Sequence, residues 1–215
     1  MSGYDEILRL FNVTNPVGYT AEEIKKAKSV VGVLPLELER FYLLCGASKE
    51  LHGLQDELIL PDRFADLAAS DYIVFFIENQ SVCMAGVKKS DAALDDPPVY
   101  ASVDNGEWKL SSPRVSEFLC AMFGYQASIC LEFDPEEFFF ITAEEKAKVE
   151  KLFPKLGGFD NWLYDQKITV YGENGGRVAL MEEQPGGEIW MSIAANNERE
   201  HERIMSLLDG VGVPM

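Results

Sequence analysis

The sequence predicts an α+β fold, a largely antiparallel mixed sheet with helices packed mainly on one face. Two features of the 215 residues indicate this class. Runs with helical spacing lie within 20–46, 113–122 and 142–152, and short β-rich runs separated by turn residues fill most of the chain between them. Such a mixture is typical of α+β proteins. No low-complexity linker divides these segments, so we expect a single domain over residues 1–215.

The first two helices are predicted from the residues that begin and end them. Thr20 with Glu23 three residues later is a capping box, and a helix from there would run to about Val31. Pro35 suits the first position of a second helix, which Gly46 ends. The apolar residues of this second helix recur every three or four positions, so one of its sides needs a sheet to cover it.

The middle of the chain is predicted to contain strands at Ile73–Ile77, Val82–Val87 and Val99–Val103. After the third strand, Asn105-Gly106 indicates a tight turn, because glycine takes a positive φ without steric cost. Ser112-Pro113 is then expected to cap a helix that carries apolar residues on one side.

The C-terminal third is predicted to be an antiparallel meander followed by a helix, over about residues 160–210. Before it, strands are expected at Ile129–Phe133 and Phe138–Ile141, and Thr142 with Glu145 repeats the capping box and predicts a helix through Leu152. The meander strands are expected at Lys167–Tyr171, Arg177–Glu182 and Glu188–Ala194. Asn197, with Glu200 three residues later, is expected to begin the closing helix.

The charge of the chain favours a basic partner. Asp and Glu number 36 against 19 Lys and Arg, a net charge of −17, and most of the excess falls within residues 51–150. Such a surface repels phosphate backbones and anionic lipids, so we expect neither a nucleic-acid nor a membrane partner. The charge would also serve solubility alone, and the sequence does not decide between these two roles.

The cytoplasm is the expected compartment. The first residues lack the pattern of a secretory signal, and no apolar run approaches the length of a membrane span. The four cysteines stand in apolar surroundings, without a C-x-x-C pair. We therefore interpret them as reduced thiols packed as small core residues, although two disulfides could in principle form.

The search for catalytic and metal-binding motifs favours a protein that is not an enzyme. Of the two histidines, His201 is followed four residues later by Met205, which cannot replace the second imidazole of a helical zinc site. The acidic pairs Asp95-Asp96 and Glu136-Glu137 lack the spacing of a calcium loop and are interpreted as solvated loops. We expect no metal and no cofactor, and the sequence leaves the oligomeric state open.

Four fragments, in this order, resemble the SUKH superfamily, which comprises bacterial immunity proteins and the fungal cell-wall-assembly regulator. They are Leu34-Pro35 with Phe41-Tyr42 and Gly46; Leu60-Pro61 with Phe64; Glu78-Asn79-Gln80; and Asp96-Pro97-Pro98-Val99-Tyr100 followed by Trp108 and by Ser116-Glu117-Phe118-Leu119. The similarity covers about residues 20–125, and the C-terminal third either completes the common sheet or extends it. Most of these residues are expected to specify the fold, with Trp108 and Phe118 in the core.

The resemblance implies binding without turnover. It suggests an immunity protein that binds and neutralises a basic toxin domain, often a nuclease, while the fungal relative suggests a regulatory or scaffold module without a toxin. The contacts with the partner are expected from polar loop residues, namely Glu78, Gln80, Asp95, Asp96, Asp104 and Glu107. Whether these six share one face is left open by the sequence.

Overall fold

A computed structural model describes residues 4–67, 71–135 and 137–215. Six α-helices occur in these ranges: Asp5–Leu10 (α1), Ala21–Val31 (α2), Leu36–Cys45 (α3), Val115–Cys130 (α4), Ala143–Leu152 (α5) and Glu198–Leu207 (α6). The predicted α+β class is confirmed. None of the helices in the described ranges is long and apolar enough to cross a membrane.

The strands of the described residues divide between two antiparallel sheets, where the sequence analysis expected one. Sheet 1 runs in chain order through Glu57–Leu58 (β1), Tyr72–Ile77 (β2), Cys83–Lys88 (β3), Val99–Val103 (β4) and Lys109–Ser112 (β5). Sheet 2 contains Phe139–Ile141 (β6), Lys155–Asp160 (β7), Gln166–Tyr171 (β8), Gly176–Glu183 (β9), Ile189–Ala195 (β10) and Val213–Pro214 (β11), in the order β11-β6-β10-β9-β8-β7. The predicted meander is the β8-β9-β10 part of sheet 2.

Helix α4 lies between the two sheets. Every residue from Ala121 to Ser128 is buried, so this helix has no solvent-facing side over two turns. The ring of Phe118 packs edge-on against Phe75 of sheet 1, whereas a Cβ added to Gly124 would lie 2.9 Å from Val170 of sheet 2. Helix α4 therefore packs against both sheets.

The strand predicted at Ile129–Phe133 is wrong. Ile129 and Cys130 form the last turn of α4, and Phe133 makes an isolated bridge with Ala195. The error has a physical origin: a short apolar run without visible periodicity fits a buried strand and a fully buried helix equally well.

The opposite face of sheet 2 is covered by α5 and α6. Val149 and Phe153 at α5, together with Ile204 of α6, pack into a second core cluster against residues such as Leu180 and Ile193 of the sheet. Sheet 2 is thus enclosed by helices on both sides, with α4 on one and α5 and α6 on the other.

Both predicted capping boxes are confirmed. Thr20 Oγ1 accepts a hydrogen bond from Glu23 N at 3.3 Å, and the Glu23 carboxylate accepts one from Thr20 N at 2.8 Å. Thr142 and Glu145 make the same pair of bonds at the start of α5. The two helices end at Val31 and Leu152, where the sequence analysis placed their ends.

The start of α4 differs from its prediction. Ser112 Oγ donates to Arg114 O rather than capping the helix, which begins at Val115. The first amides of α4 are instead capped by a side chain from another part of the chain, Asp96, which accepts from Ser116 N at 3.0 Å.

Candidate functional site

The six predicted contact residues lie at two ends of sheet 1. Because the strands follow one another as hairpins, the β2-β3 turn and the β4-β5 turn share one end of the sheet, and the β3-β4 connection lies at the other. Asp104 N donates to Val82 O at 2.8 Å, which fixes the first two turns side by side. Glu78, Gln80, Asp104 and Glu107 are therefore neighbours in the fold, whereas Asp95 and Asp96 lie at the far end.

Two of the six carboxylates are used inside the fold. Glu78 is buried, and its Oε2 accepts from Gln80 N at 2.9 Å and from Val82 N at 3.1 Å, so the carboxylate holds its own turn together. Asp96 caps α4, as described above. The other four side chains, those of Gln80, Asp95, Asp104 and Glu107, are exposed to solvent.

The β4-β5 turn has a different centre from the one predicted. Gly106 N donates to Val103 O at 2.8 Å, so the central residues are Asp104 and Asn105, with φ of 51° and 55°. Asp and Asn tolerate this left-handed region better than other non-glycine residues. The Asp104 side chain at the centre of this turn is exposed.

A loop of sheet 2, residues 161–165, packs against this turn. Tyr164 Oη donates to Asp104 Oδ2 at 3.3 Å, Lys109 Nζ bonds Asp165 Oδ1, and Asn161 Nδ2 donates to Leu110 O at 2.7 Å. These three contacts join the edge of sheet 1 to the loop that links β7 to β8.

Two adjoining concavities lie along this junction, and we call them together the inter-sheet cleft. One, of about 190 Å³, is lined by Ala101, Val103, Glu107, Lys109, Asn161, Tyr164 and Asp165. The other, of about 450 Å³, is lined by Asp160, Asn161, Asp165, Gln166, Lys167, Gln184 and Pro185. Asn161 and Asp165 line both.

The inter-sheet cleft is surrounded by more carboxylates than cations. Asp104 and Glu107 approach from sheet 1, and Asp160 and Asp165 from sheet 2, whereas the cations that line it are Lys109 and Lys167. The hydrogen bond and charge of Asp165 raise the pKa of Lys109, and the charge of Asp104 raises the pKa of Tyr164. Tyr164 is 62% exposed, which places an aromatic ring beside these charges.

The backbone of the 161–165 loop is strained. Asn161, Leu163 and Tyr164 have φ of 60°, 51° and 68°, and such conformations cost on the order of 1–3 kcal/mol each for non-glycine residues. Trp162 between them is fully buried, and its Nε1 donates to Asp56 Oδ2 at 3.2 Å. The buried indole therefore anchors a loop that would otherwise relax.

Asp56 is the buried carboxylate that links the parts of this end of the molecule. Besides Trp162, it accepts from Gln126 Nε2 at 2.8 Å and from Asn79 N at 3.4 Å. Burial raises its pKa from 3.8 to about 6, against the opposing effect of these hydrogen bonds. Asp56 thus connects α4, the β2-β3 turn and the 161–165 loop, and it is a site residue that the sequence analysis missed. The one signal was Gln126, a polar residue within an apolar helix.

Gln166 is a second residue that the sequence analysis missed. It begins β8, is 8% exposed and lines the larger concavity of the cleft. No described residue donates a hydrogen bond to its Oε1. A buried acceptor without a donor is rare in native proteins and asks for an explanation.

Sheet 1 also presents aromatic side chains on the face that points away from α4. Trp108, which the sequence analysis placed in the core, is half-buried and stacks on Tyr72 with ring centroids 4.0 Å apart. Tyr100 packs edge-on against the same tyrosine, and Leu110, its cross-strand partner, is 54% exposed. Phe118, in contrast, is fully buried, as predicted.

The described residues offer little for metal chemistry. Across residues 4–67, 71–135 and 137–215, no group of three or more His, Cys, Asp and Glu side chains could hold a metal ion. His52 Nε2 lies 2.8 Å from Gly46 O, and neither residue lines the inter-sheet cleft. Carboxylate and carbonyl oxygens such as those around the cleft can accept hydrogen bonds from cationic groups.

Comparison with protein-family models, with curated proteins and with solved structures finds no match to this chain.

Proposed function

We propose that this chain is a non-enzymatic binding protein that holds a basic protein domain against the inter-sheet cleft. The observation that carries the proposal is the cleft itself, a concavity with four carboxylates around it and an exposed tyrosine at its margin. Aromatic side chains are enriched in protein-protein contacts, and polar groups form the rim of such contacts.

Neutralisation of a toxin domain in the cytoplasm is the role that we propose for this binding. Its support is the order of SUKH-like fragments together with the net charge of −17. A toxin that cleaves nucleic acid holds phosphates with cationic side chains, and an acidic cleft can occupy those same cations. The long-range field of the acidic chain would also speed the encounter with such a domain.

The test combines protection of cells with measured affinity. Basic toxin domains encoded next to this gene are co-expressed with the chain, and growth is scored. The domain that is neutralised is then purified and titrated against the chain at several salt concentrations. We expect one-to-one binding that weakens as salt rises, because the contacts are charged.

A pair of variants separates the cleft from the overall charge. Asp104→Asn with Glu107→Gln removes two carboxylates at the cleft, and Asp95→Asn with Glu202→Gln removes two exposed ones elsewhere. Asparagine suits position 104, since it tolerates the positive φ. We expect the first variant to weaken binding about tenfold or more, and the control by about twofold, as local contacts exceed long-range steering.

Two results would contradict the proposal. If no neighbouring toxin domain is neutralised, the proposed role is wrong. If the two double variants bind a neutralised toxin equally, the cleft is not the contact surface. Capture of a housekeeping protein in a one-to-one complex that still depends on Asp104 and Glu107 would favour the scaffold role instead.

A further inference from the structure

One cross-strand row of sheet 2 is apolar from end to end, but α4 covers only part of it. The strand register aligns six side chains across the sheet, those of Phe159, Ile168, Met181, Trp190, Phe140 and Val213. The first three are buried, and Phe159 packs against Phe118 of α4. Burial then falls along the row: Trp190 is half-buried, Phe140 is 37% exposed and Val213 is 68% exposed. The cover therefore ends before the row does.

The uncovered end of this row forms an apolar surface, which we call the sheet 2 patch. It comprises Trp190, Phe140, Val213 and Met215. Phe139 and Ile141 pack into the second core cluster, so Phe140 between them points to the opposite face, that of α4. Its ring packs edge-on against Trp190 with centroids 6.0 Å apart, and Met215, 56% exposed, follows on the same side of the edge strand. Contiguous exposed apolar side chains of this kind mark interaction sites.

The charges around the sheet 2 patch are of one sign. The segments that carry and flank it contain acidic residues but no lysine or arginine, over 137–145, 182–197 and 208–215. Four of these acidic side chains are exposed to solvent, namely Glu137, Glu183, Glu188 and Asp209. The Glu188 carboxylate accepts from Trp190 Nε1 at 3.3 Å, which places a negative charge directly beside the indole. This arrangement complements an apolar surface surrounded by lysine and arginine, and it repels anionic lipid and a second copy of this chain, whose net charge is −17.

The shape of the sheet 2 patch suits a helix better than an added strand. At the edge of the sheet, Pro214 of β11 has no N–H to donate to a further strand. On the face of the sheet, α4 already shows that a helix packs on this row. The strands β10, β6 and β11 are neighbours and together span roughly 10 Å, at about 4.8 Å per step, which matches the roughly 8–10 Å between packed helices.

We propose that the sheet 2 patch docks an amphipathic helix of a basic partner protein, beside α4 on the same face of the sheet. The apolar side of that helix would cover Phe140, Trp190 and Val213, and its lysine and arginine side chains would face the surrounding carboxylates. None of the residues of the patch lines the inter-sheet cleft, so this contact surface does not depend on the one proposed above.

The test uses designed peptides on the whole chain. The probe is a fluorescent peptide of about 15 residues, long enough for a helix, with leucine at helical spacing on one side and lysine on the other. One control peptide has glutamate in place of every lysine, and a second has the composition of the probe in an order that removes the helical spacing. We expect saturable one-to-one binding of the probe by fluorescence anisotropy, and at least about tenfold weaker binding of both controls. Absence of saturation, or equal affinity for the probe and either control, would overturn the proposal.

Two double variants locate the binding surface. Phe140→Thr with Val213→Thr removes apolar surface from the patch and keeps a residue that suits strands. Val17→Thr with Val33→Thr is the control, because these two valines are also exposed but lie outside both sheets. We expect the first variant to weaken binding of the probe about tenfold or more, and the control to change it less than about twofold. Equal affinity of the two variants would show that the peptide binds elsewhere and would refute the proposal. Thermal unfolding checks that both fold, and Val213→Thr alone serves if the first does not.

Self-association is the competing occupant, and light scattering of the whole chain tests it. We expect a monomer, and a dimer that Phe140→Thr with Val213→Thr dissociates would overturn the proposal, because a second copy would then cover the patch.

The outcomes for the patch and for the proposed function are separable. If a toxin domain is neutralised through Asp104 and Glu107 but the probe does not bind, the patch proposal fails and the function stands. If the probe binds at the patch but no toxin domain is neutralised, the proposed function fails and the patch remains a helix-docking surface.

Discussion

Replacing Asp56 with asparagine should change how stability depends on pH. The buried carboxylate has a pKa raised from 3.8 to about 6, so the folded protein binds this proton more tightly than the unfolded chain does. The stabilising effect of protonation is complete below pH 3.8 and is lost as the pH rises to about 6. Because one pKa unit corresponds to 1.36 kcal/mol, the loss amounts to about 3 kcal/mol by pH 7.

The difference between wild type and variant isolates this effect. Free energies of unfolding are measured by urea titration from pH 4 to pH 7.5 for wild type, Asp56→Asn and the exposed control Asp95→Asn. The asparagine carbonyl can still accept from Gln126 and Trp162, although the amide group loses the weaker bond from Asn79 N.

The expected signature is a change of relative stability with pH. Asp56→Asn should gain about 2.4 kcal/mol on wild type between pH 4 and pH 7, whereas Asp95→Asn should stay parallel to wild type. A variant curve parallel to that of wild type over this range would refute the reasoning, since it would mean that Asp56 is ionised at its ordinary pKa.

Three further outcomes are expected. Thr142→Ala removes the acceptor of the α5 capping box and should lower the free energy of unfolding by about 1 kcal/mol in a urea titration; no change would mean that the box adds nothing. Gly158→Ala places a Cβ 2.5 Å from a carbonyl oxygen of β8 and should cost about 1–3 kcal/mol, seen as a lower midpoint of thermal unfolding. Burial raises the pKa of Cys130 as well as the pKa values of Cys45 and Cys83, the latter two to about 12, but only Cys130 of these three is exposed. Iodoacetamide labelling of the native protein followed by mass spectrometry should therefore find Cys130 modified before the other two; early modification of the two buried thiols would contradict the packing described.

Local signals determined the parts of the fold that the sequence predicted well. The capping boxes at Thr20 and Thr142 need only residues three apart, and Asn197 Oδ1 accepts from Glu200 N at 3.0 Å at the start of α6, as expected. The meander strands are recognisable from alternating apolar and polar residues or from the turns that bound them. At most of their ends, the observed bound differs from the predicted one by a single residue. Such features do not depend on distant parts of the chain.

Tertiary packing decided the parts that the sequence did not predict. Two consecutive glycines are typical of a loop, yet Gly157 and Gly158 lie within β7. A Cβ at Gly157 would lie 3.3 Å from the Cβ of Ala121 of α4, so the helix approaches the strand closely there. Close approach of the helix at Gly157 and of the neighbouring strand β8 at Gly158, rather than a turn, is the reason for these glycines.

The candidate site was predicted in part. Asp104 and Glu107 were identified from their turn, because turns between strands are exposed. Asp160, Asp165 and Gln166 were not, since they approach that turn only because the 161–165 loop packs against the edge of sheet 1, which no local pattern reveals. The burial of Glu78 was missed for a similar reason: an acidic residue in a turn usually faces solvent, and here it binds the turn's own amides.

The position of α4 between the sheets has a consequence for synthesis of the chain. The strands that cover one side of this helix, Lys155–Asp160 and those after it, are translated after the helix itself. Until they emerge from the ribosome, the residues that face Val170 and its neighbours stay in water, and sheet 1 must hold a helix with an uncovered apolar flank. We expect the nascent chain to depend on chaperone protection during this interval and to acquire resistance to proteases only when its final strands dock.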